Sequence, residues 1–499
     1  MFKVKILNKK MKISSIKKVH YNVISENIEF FCYGIYGKID IMDSQYIIFI
    51  TEVIKNSQNF YSDVFEISKV KIIHLQGPGE NSIVKNIKKT LEKSGIYFSY
   101  QPLYNNYSME DNNNSNREDF IFNYVPIENL KKFDKKLKKL TKKCIQGYFN
   151  GYKIDNMQLI LISRRCWKNC GARYFCRGSN PEGYVSNYVE TEQIIKIGMD
   201  IVYSYLQIRG SIPLIWSHRV GLAYAPPIVI SKNELNKECF IKSIEILQKK
   251  YKFFFYINLI KQNGYEGELN KEFKKFQDEK NFMNLDFHNS GIISNKEKFD
   301  KFILSVKNVL DKFGEKMNDK YQKGVIRTNC IDCLDRTNLV QYYIGRYNIE
   351  KNMKNVFNKI KFHLGDLWYE NGNKISLQYA GTPAIKANVI KNTKQDFTGL
   401  IRDFYFSIVR YFLNRWRQGD LQDCYDILTG KFYINGHYKK PRYSKYFLVI
   451  IMLFISILSF KTSSAYFYIF FLGFTVILLL ISKMNYPKTL KKKSRYDIK

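Results

Sequence analysis

Neither a GxGxxG nor a GxxxxGK[ST] loop occurs among the 499 residues, so the ordinary nucleotide-binding folds find no support. No internal repeat is present either. The amino terminus, MFKVKILNKKMKISSIKK, interleaves apolar residues with Lys and never builds the apolar run of roughly 7 to 15 residues that a secretory signal needs. The chain is therefore expected to begin in the cytosol. Its nine cysteines (Cys32, Cys144, Cys166, Cys170, Cys176, Cys239, Cys330, Cys333, Cys424) lack the spacing of a disulfide framework, which points to a reducing compartment and free thiols. What is abundant is positive charge: 80 Lys and Arg against 45 Asp and Glu leave a net charge of +35. Such an excess calls for an acidic partner: nucleic acid, anionic lipid or a phosphorylated substrate. With 45% apolar and 16% aromatic residues the chain is neither disordered nor fibrous, and its length suits two or three domains of about 100 to 200 residues.

Two uncharged runs lie near the carboxyl terminus, YFLVIIMLFISILSF from Tyr446 to Phe460 and AYFYIFFLGFTVILLLIS from Ala465 to Ser482. Both read as membrane spans, the second about 27 Å long as a helix and the first shorter, a pair suited to a thin bilayer such as the endoplasmic reticulum. Lys439, Lys440, Arg442 and Lys445 precede them, and Lys483, Lys488, Lys491, Lys492, Lys493 and Arg495 follow. Positive flanks stay cytosolic, so the spans are expected to form a hairpin with both ends in the cytosol and a basic tail at 483–499. Lys461 is the one cation in the connecting loop.

In the remaining chain, residues 29–53 are rich in β-branched and aromatic residues punctuated by Gly34 and Gly37, and read as strands joined by tight turns. The first 140 residues are expected to form a strand-rich domain. YSMEDNNNSNR, 107–117, is polar without periodicity and reads as an exposed loop. Leu130, Phe133, Leu137 and Leu140 recur at helical spacing among eight Lys residues from Lys131 to Lys143, which predicts a basic amphipathic helix. It is expected to pack by its Leu face, with anionic lipid as the alternative, and to mark the boundary of a larger α/β domain at 141–435.

Residues 324–341 read GVIRTNCIDCLDRTNLVQ. Val325 and Ile326 suggest the end of a strand, and Leu339 and Val340 the start of a helix. Between them stands Cys330-x5-Arg336, followed by Thr337. A loop closing between strand and helix points backbone N–H groups inward at the positive helix terminus, so a phosphate is expected to rest on Ile331, Cys333, Leu334, Asp335 and Thr337. The same donors stabilise a thiolate at Cys330. Arg336 can fork two N–H groups onto phosphoryl oxygens, and Thr337 can hydrogen-bond the sulfur as water attacks a phosphocysteine. Asp332 is favoured as the acid that protonates the leaving alkoxide; Asp335 is the second choice, or else orients Arg336 or the loop backbone. Cys330-x2-Cys333 also admits a redox or zinc reading, but zinc needs two further ligands, and Cys166, Cys170 and Cys176 form no paired site.

The string RTNCIDCLDRTN, Arg327 to Asn338, resembles the signature of the Sac-domain phosphoinositide phosphatases. The resemblance extends through YGIYGKIDIMDSQYIIFIT (33–51), GIYFSY (95–100), REDFIFN (117–123) and ISRRCWKNCGARYFCRGSNPEGYVSNYVETEQ (162–193). It continues in QIRGSIPLIWS (207–217), INLIKQNG (257–264), LDFH (285–288) and ISLQYAGTPAIK (375–386), and the terminal hairpin resembles that of the family's integral-membrane member. This implies an α/β fold: a strand-rich amino-terminal Sac subdomain (1–140), a Cys-phosphatase-like catalytic subdomain (141–435) and the transmembrane hairpin (446–460 and 465–482). It also implies a lipid phosphatase without metal or cofactor, facing the cytosol from the endoplasmic reticulum and Golgi membranes. Its implied substrate is chiefly phosphatidylinositol 4-phosphate, then the 3-phosphate and, less well, the 3,5-bisphosphate. Cys330 becomes the nucleophile, Arg336 the phosphate-binding Arg and Asp332 the suggested acid. Asn329 stands where tyrosine phosphatases usually carry His, which counts against a protein substrate. Nucleic acid is not an expected partner, and no protein partner is implied.

Arg164, Arg165, Arg173, Arg177, Arg209 and Arg327 lie in the matching segments as candidates for a headgroup and membrane face. Structural ion pairs with Glu190 and Glu192 are the competing reading. Gly381 reads as a tight turn, Trp216 and Trp368 as core, and His288 as a core His. Tyr496 and Asp497 stand where some relatives carry a paired-Lys retrieval signal, so placement between endoplasmic reticulum and Golgi is left open. The competing functional class is a catalytically weak phosphoinositide-binding tether or scaffold.

Overall fold

Strands form where β-branched and aromatic residues alternate with polar ones. Phe2–Leu7 buries Val4 and Ile6 and leaves Lys5 and Leu7 in water. The structure is a computed structural model that describes residues 1–431, apart from 16–19, 57–62, 80, 111–116, 220–224, 232, 288–295 and 393–396. The expected membrane spans, their flanking cations, the basic tail and His288 lie outside the described residues. Among the described residues no helix is long and apolar enough to cross a membrane.

A small amino-terminal sheet runs in the order His20–Asn22, Lys10–Ile13, Phe2–Leu7, Ile28–Cys32. The main sheet is mixed. From one edge it passes through Phe282–Asn284, Phe253–Asn258, Gly324–Asn329, Asp200–Gly210, Val189–Ile197, Met157–Arg165 and Cys144–Ile154, then Ile96–Ser99, Val64–Gln76, Ser44–Lys55 and Gly34–Ile41. The strands read at 29–53 are present, and the sheet continues across position 140, where Ile96–Ser99 pairs with Cys144–Ile154.

Pairing changes character along this sheet. The strands up to Asp200–Gly210 meet in antiparallel pairs, whereas Gly324–Asn329 lies parallel to both Asp200–Gly210 and Phe253–Asn258. Parallel strands are covered on both faces. Ile326, Phe255 and Ile257 join a core with helices Lys296–Phe313, Asp335–Asn352 and Lys354–Ala380. Val325 and Tyr256, one residue out of phase, join a second core with Asn233–Tyr251 and Gly264–Lys274. Trp216 and Trp368 are buried in these two cores, and Gly381 ends the Lys354–Ala380 helix at φ 77°, a left-handed turn that glycine adopts without strain.

The basic amphipathic helix expected from Leu130 to Lys143 is broken. An α-helix runs only over Tyr124–Phe133, and Leu137–Leu140 is a separate 3-10 turn. Asp134 is the cause: extended at φ −155°, it accepts from the Lys136 amide at 2.7 Å and from the Tyr21 hydroxyl at 2.7 Å. A short carboxylate that caps its own neighbours competes with helical hydrogen bonding. Leu130 and Leu137 are buried, so the Leu face packs as expected even though the helix does not continue.

Candidate active site

The strand Gly324–Asn329 delivers the Cys-x5-Arg segment to the carboxyl end of the parallel strands. Asn329 stands level with Gly210 on one side and Asn258 on the other, and the Leu259 amide donates to the Asn329 carbonyl at 2.9 Å. Open α/β sheets bind ligands at such ends, where neighbouring strands diverge. The following helix begins at Asp335, a turn earlier than Leu339, so its first turn belongs to the loop.

The backbone of residues 330–333 is held by its carbonyls. Arg177 donates to the Ile331 oxygen at 2.8 Å, Asn187 to the Asp332 oxygen at 2.9 Å and the Cys333 thiol to the Cys330 oxygen at 3.2 Å. In a trans peptide the N–H points opposite to the C=O. Scaffold-facing carbonyls of Ile331 and Asp332 therefore turn the Asp332 and Cys333 amides away from the scaffold, and the Asp332 amide bonds the Cys330 thiol. The curl passes through Cys333 at φ +54°, a conformation rarely adopted by a residue with a Cβ. Beneath it lies Arg209, fully buried, with Nη2 on Asn338 at 3.1 Å and Nε and Nη1 without a partner. Burial lowers this guanidinium to about 10, and the positive end of the Asp335–Asn352 helix adds to its field.

Cys330 is buried, and burial pushes its thiol up. Arg336 pulls it down, while Glu266 and Asp332 push it up again. Desolvation is thus the largest influence on Cys330, opposed by Arg336 and by the Asp332 amide. Arg336 itself donates to the Leu259 carbonyl at 3.0 Å and lies 3.7 Å from Glu266.

Asp332 is held by two cations. Arg173 grips it bidentately at 2.9 and 2.7 Å, and Arg177 approaches at 2.7 Å. The pair holds the carboxyl well below the usual carboxylate range although it is largely withdrawn from water. As placed, with both guanidinium groups on it, Asp332 is held as a carboxylate. Arg177 also donates through Nε to Nδ1 of His218 at 3.0 Å; burial and the two guanidinium groups push that imidazole down to about 2. Asp335 turns outward, accepting from the Ile385 amide at 2.6 Å and from Arg410 at 2.9 Å. Thr337 is buried with its hydroxyl oxygen unpartnered, and Leu334 caps the helix without a side-chain bond.

The six candidate headgroup arginines separate. Only Arg173 and Arg177 reach the loop's carboxylate. Arg164 is fully buried on Glu192 at 2.8 Å and on the Leu103 carbonyl at 2.6 Å. Arg165 donates to the Gly171 carbonyl at 2.7 Å and stacks on Tyr379 and Tyr425. Arg327 donates to the Asn329 side chain at 3.0 Å and to the Ser211 carbonyl at 3.2 Å. With Arg209 below the loop, these four present no membrane face, because a sealed guanidinium has no donor to offer a lipid. Glu190 takes Arg117 as its bidentate partner, which sequence reading had not paired with it.

Other residues missed in the sequence are Asn187, His218, Glu266, Tyr379 and Arg410. Four of them lie in or beside the quoted segments 162–193, 207–217, 257–264 and 375–386, the one signal available; Arg410 had none. All nine cysteines are free, and among the described residues no group of three or more His, Cys, Asp or Glu is placed to hold a metal ion.

A buried cysteine and an arginine six residues on, in the Cys-x5-Arg spacing, thus stand at the carboxyl end of a parallel strand. The SacI homology domain matches residues 33–302, amino-terminal to that loop. The chain is 30% identical over 451 residues to phosphoinositide phosphatase SAC7 of Arabidopsis thaliana, covering 81% of this chain and 75% of the relative. It is 29% identical over 412 residues to phosphatidylinositol-3-phosphatase SAC1 of Saccharomyces cerevisiae, with 71% and 64% covered. With SAC1 of Drosophila melanogaster, another phosphatidylinositol-3-phosphatase, it shares 32% over 302 residues, 56% of this chain and 50% of that one. The chain belongs to the SacI homology family, the Sac-domain phosphoinositide phosphatases.

Proposed function

We propose that this chain hydrolyses the phosphomonoester of phosphatidylinositol 4-phosphate, and of the 3-phosphate, through a phosphocysteine on Cys330. The observation that carries the reading is the Cys330 loop itself, seated at the carboxyl end of the Gly324–Asn329 strand with its carbonyls tied outward. The Cys330 thiolate attacks phosphorus and the inositol oxygen leaves with a proton; water then attacks phosphorus, releasing phosphate and the thiolate. Arg336 leaves Leu259 and Glu266 to hold the phosphoryl oxygens as charge spreads.

The proton comes from Asp332 once the substrate is bound. A phosphate dianion competes for Arg173 and Arg177; as they turn to it, the carboxyl loses the two cations that keep it ionised and gains a proton from solvent. In the second step the same group, again a carboxylate, takes the proton of the attacking water. The division at 140 and 435, the hairpin at 446–460 and 465–482, and residence in endoplasmic reticulum or Golgi membranes with the site facing the cytosol complete this reading.

The test is phosphate release by the purified chain from vesicles carrying each monophosphorylated phosphatidylinositol, in chelator, beside Cys330→Ser. Release from the 4-phosphate that the substitution abolishes is the expected result. Vesicle binding without release would replace the enzyme by a phosphoinositide tether.

A further inference from the structure

The helix Phe397–Trp416 is turned inside out. Its buried side chains are polar: Asp403, Arg410 and Asn414. Asp403 accepts from the Lys386 amide at 3.0 Å, Asn414 donates to the Ala380 carbonyl at 3.1 Å, and Arg410 donates to Ser376, Thr382 and the Pro383 carbonyl as well as to Asp335. The opposite face is apolar and open: Phe397 is 76% exposed, Leu400 52%, Ile401 56% and Tyr405 48%. Spacings of three and four residues place these four on one stripe. A helix at a protein surface ordinarily turns its stripe to the core. Here the inward face is committed to a polar network, and a contiguous exposed apolar patch marks a surface that meets something apolar.

The flanks say what. Lys391 is exposed and lies over the Tyr369 ring, whose hydroxyl Arg402 reaches at 2.6 Å; Lys391 shares its charge with Asp366 at 2.7 Å. An apolar, aromatic-bearing stripe edged by cations suits the headgroup level of an anionic bilayer. A second copy is a poor occupant, because each chain carries a net charge of +35 and repels its like.

We propose that the Phe397–Trp416 helix is the bilayer-docking face of this protein, its stripe lying among the acyl chains of an anionic leaflet. Arg410, on the opposite side of the helix, then links the membrane surface to Asp335 at the first turn of the loop's helix. The inference rests on the reading of the chain as an enzyme of lipid phosphates.

The experiment uses the full chain in vesicles of phosphatidylcholine with phosphatidylserine and phosphatidylinositol 4-phosphate. Ile401→Cys carries an environment-sensitive fluorophore, and Leu235→Cys, on the exposed side of another helix, is the control. The nine native thiols are buried, so the introduced one reacts first. Doxyl groups on the acyl chains are expected to quench the label at 401 at least threefold more than at 235, and aqueous iodide to reach it correspondingly less. Equal iodide access at the two positions overturns the proposal. So does shielding from both quenchers, which would assign the stripe to a protein contact. Phosphate release in the same vesicles separates the two readings: insertion without turnover defeats the phosphatase and leaves the docking face standing, whereas turnover without insertion defeats only the docking face.

Discussion

Two Arg–carboxylate clusters sit on the same sheet and differ chiefly in access to water. Around Glu190 and Glu192 the side chains of Arg164 and both acids are 0% exposed, and the remaining lone pairs of Glu192 accept from the Tyr107 and Ser108 amides at 2.7 and 2.9 Å. Around Asp332 the acid is 17% exposed and Arg173 19%, at the rim of the loop. Sealed charges with every partner fixed hold strands together; a charge pair open at one edge can be exchanged for an arriving anion. The first cluster is architecture and the second a proposed switch.

The sharpest way to break this distinction is to remove one charge from each cluster. Arg164→Met leaves two buried carboxylates short of a cation, and losing one partner of a buried pair costs about 3 to 5 kcal/mol. The denaturation midpoint should fall accordingly while turnover per folded molecule holds. Asp332→Asn should shift the balance: kcat down about a hundredfold, the scale of a lost acid or base, with a smaller fall in midpoint than Arg164→Met because Arg173 can turn to water. Similar losses of stability in both variants would erase the comparison.

Acid titration sharpens it further. The pKa values of Asp332 and Glu190 are both lowered in the fold, so each contributes stability that is present above its unfolded value and lost as pH falls through its folded one. Thermal midpoints should therefore decline below about pH 4, and Asp332→Asn should show a shallower decline than the wild type. An unchanged slope would mean that Asp332 is not the ionised partner of Arg173 and Arg177.

What the sequence made legible follows from distance along the chain. Strand, Cys330, Arg336 and the start of the helix lie within 20 residues, so their order could be read directly, although Val325 and Ile326 fall near the start of the strand and not at its end. The charge state of the loop could not, because it depends on partners far away: Arg173 and Asp332 are 159 positions apart, Arg410 and Asp335 75. Arginines in matching segments looked alike as a string; burial alone divided Arg164 from Arg173. The basic helix failed for a local reason, since a run of Leu and Lys at the right spacing hid the capping carboxylate of Asp134.

The smallest effect concerns the other cation of the site. Arg336 is turned toward Leu259 and Glu266, and Glu266 also helps push the Cys330 thiol up. A half-open pair at 3.7 Å contributes about 0 to 1 kcal/mol, so Glu266→Gln should free the guanidinium at little cost in stability. Orthovanadate, which mimics phosphate, should then bind about threefold tighter, the upper part of that range converted to affinity. With one negative neighbour gone the thiol ionises more easily, so the acid limb of kcat/KM should move to lower pH. Unchanged vanadate inhibition would show that Glu266 does not restrain Arg336, and would leave desolvation, the largest influence on Cys330, as what the substrate must overcome.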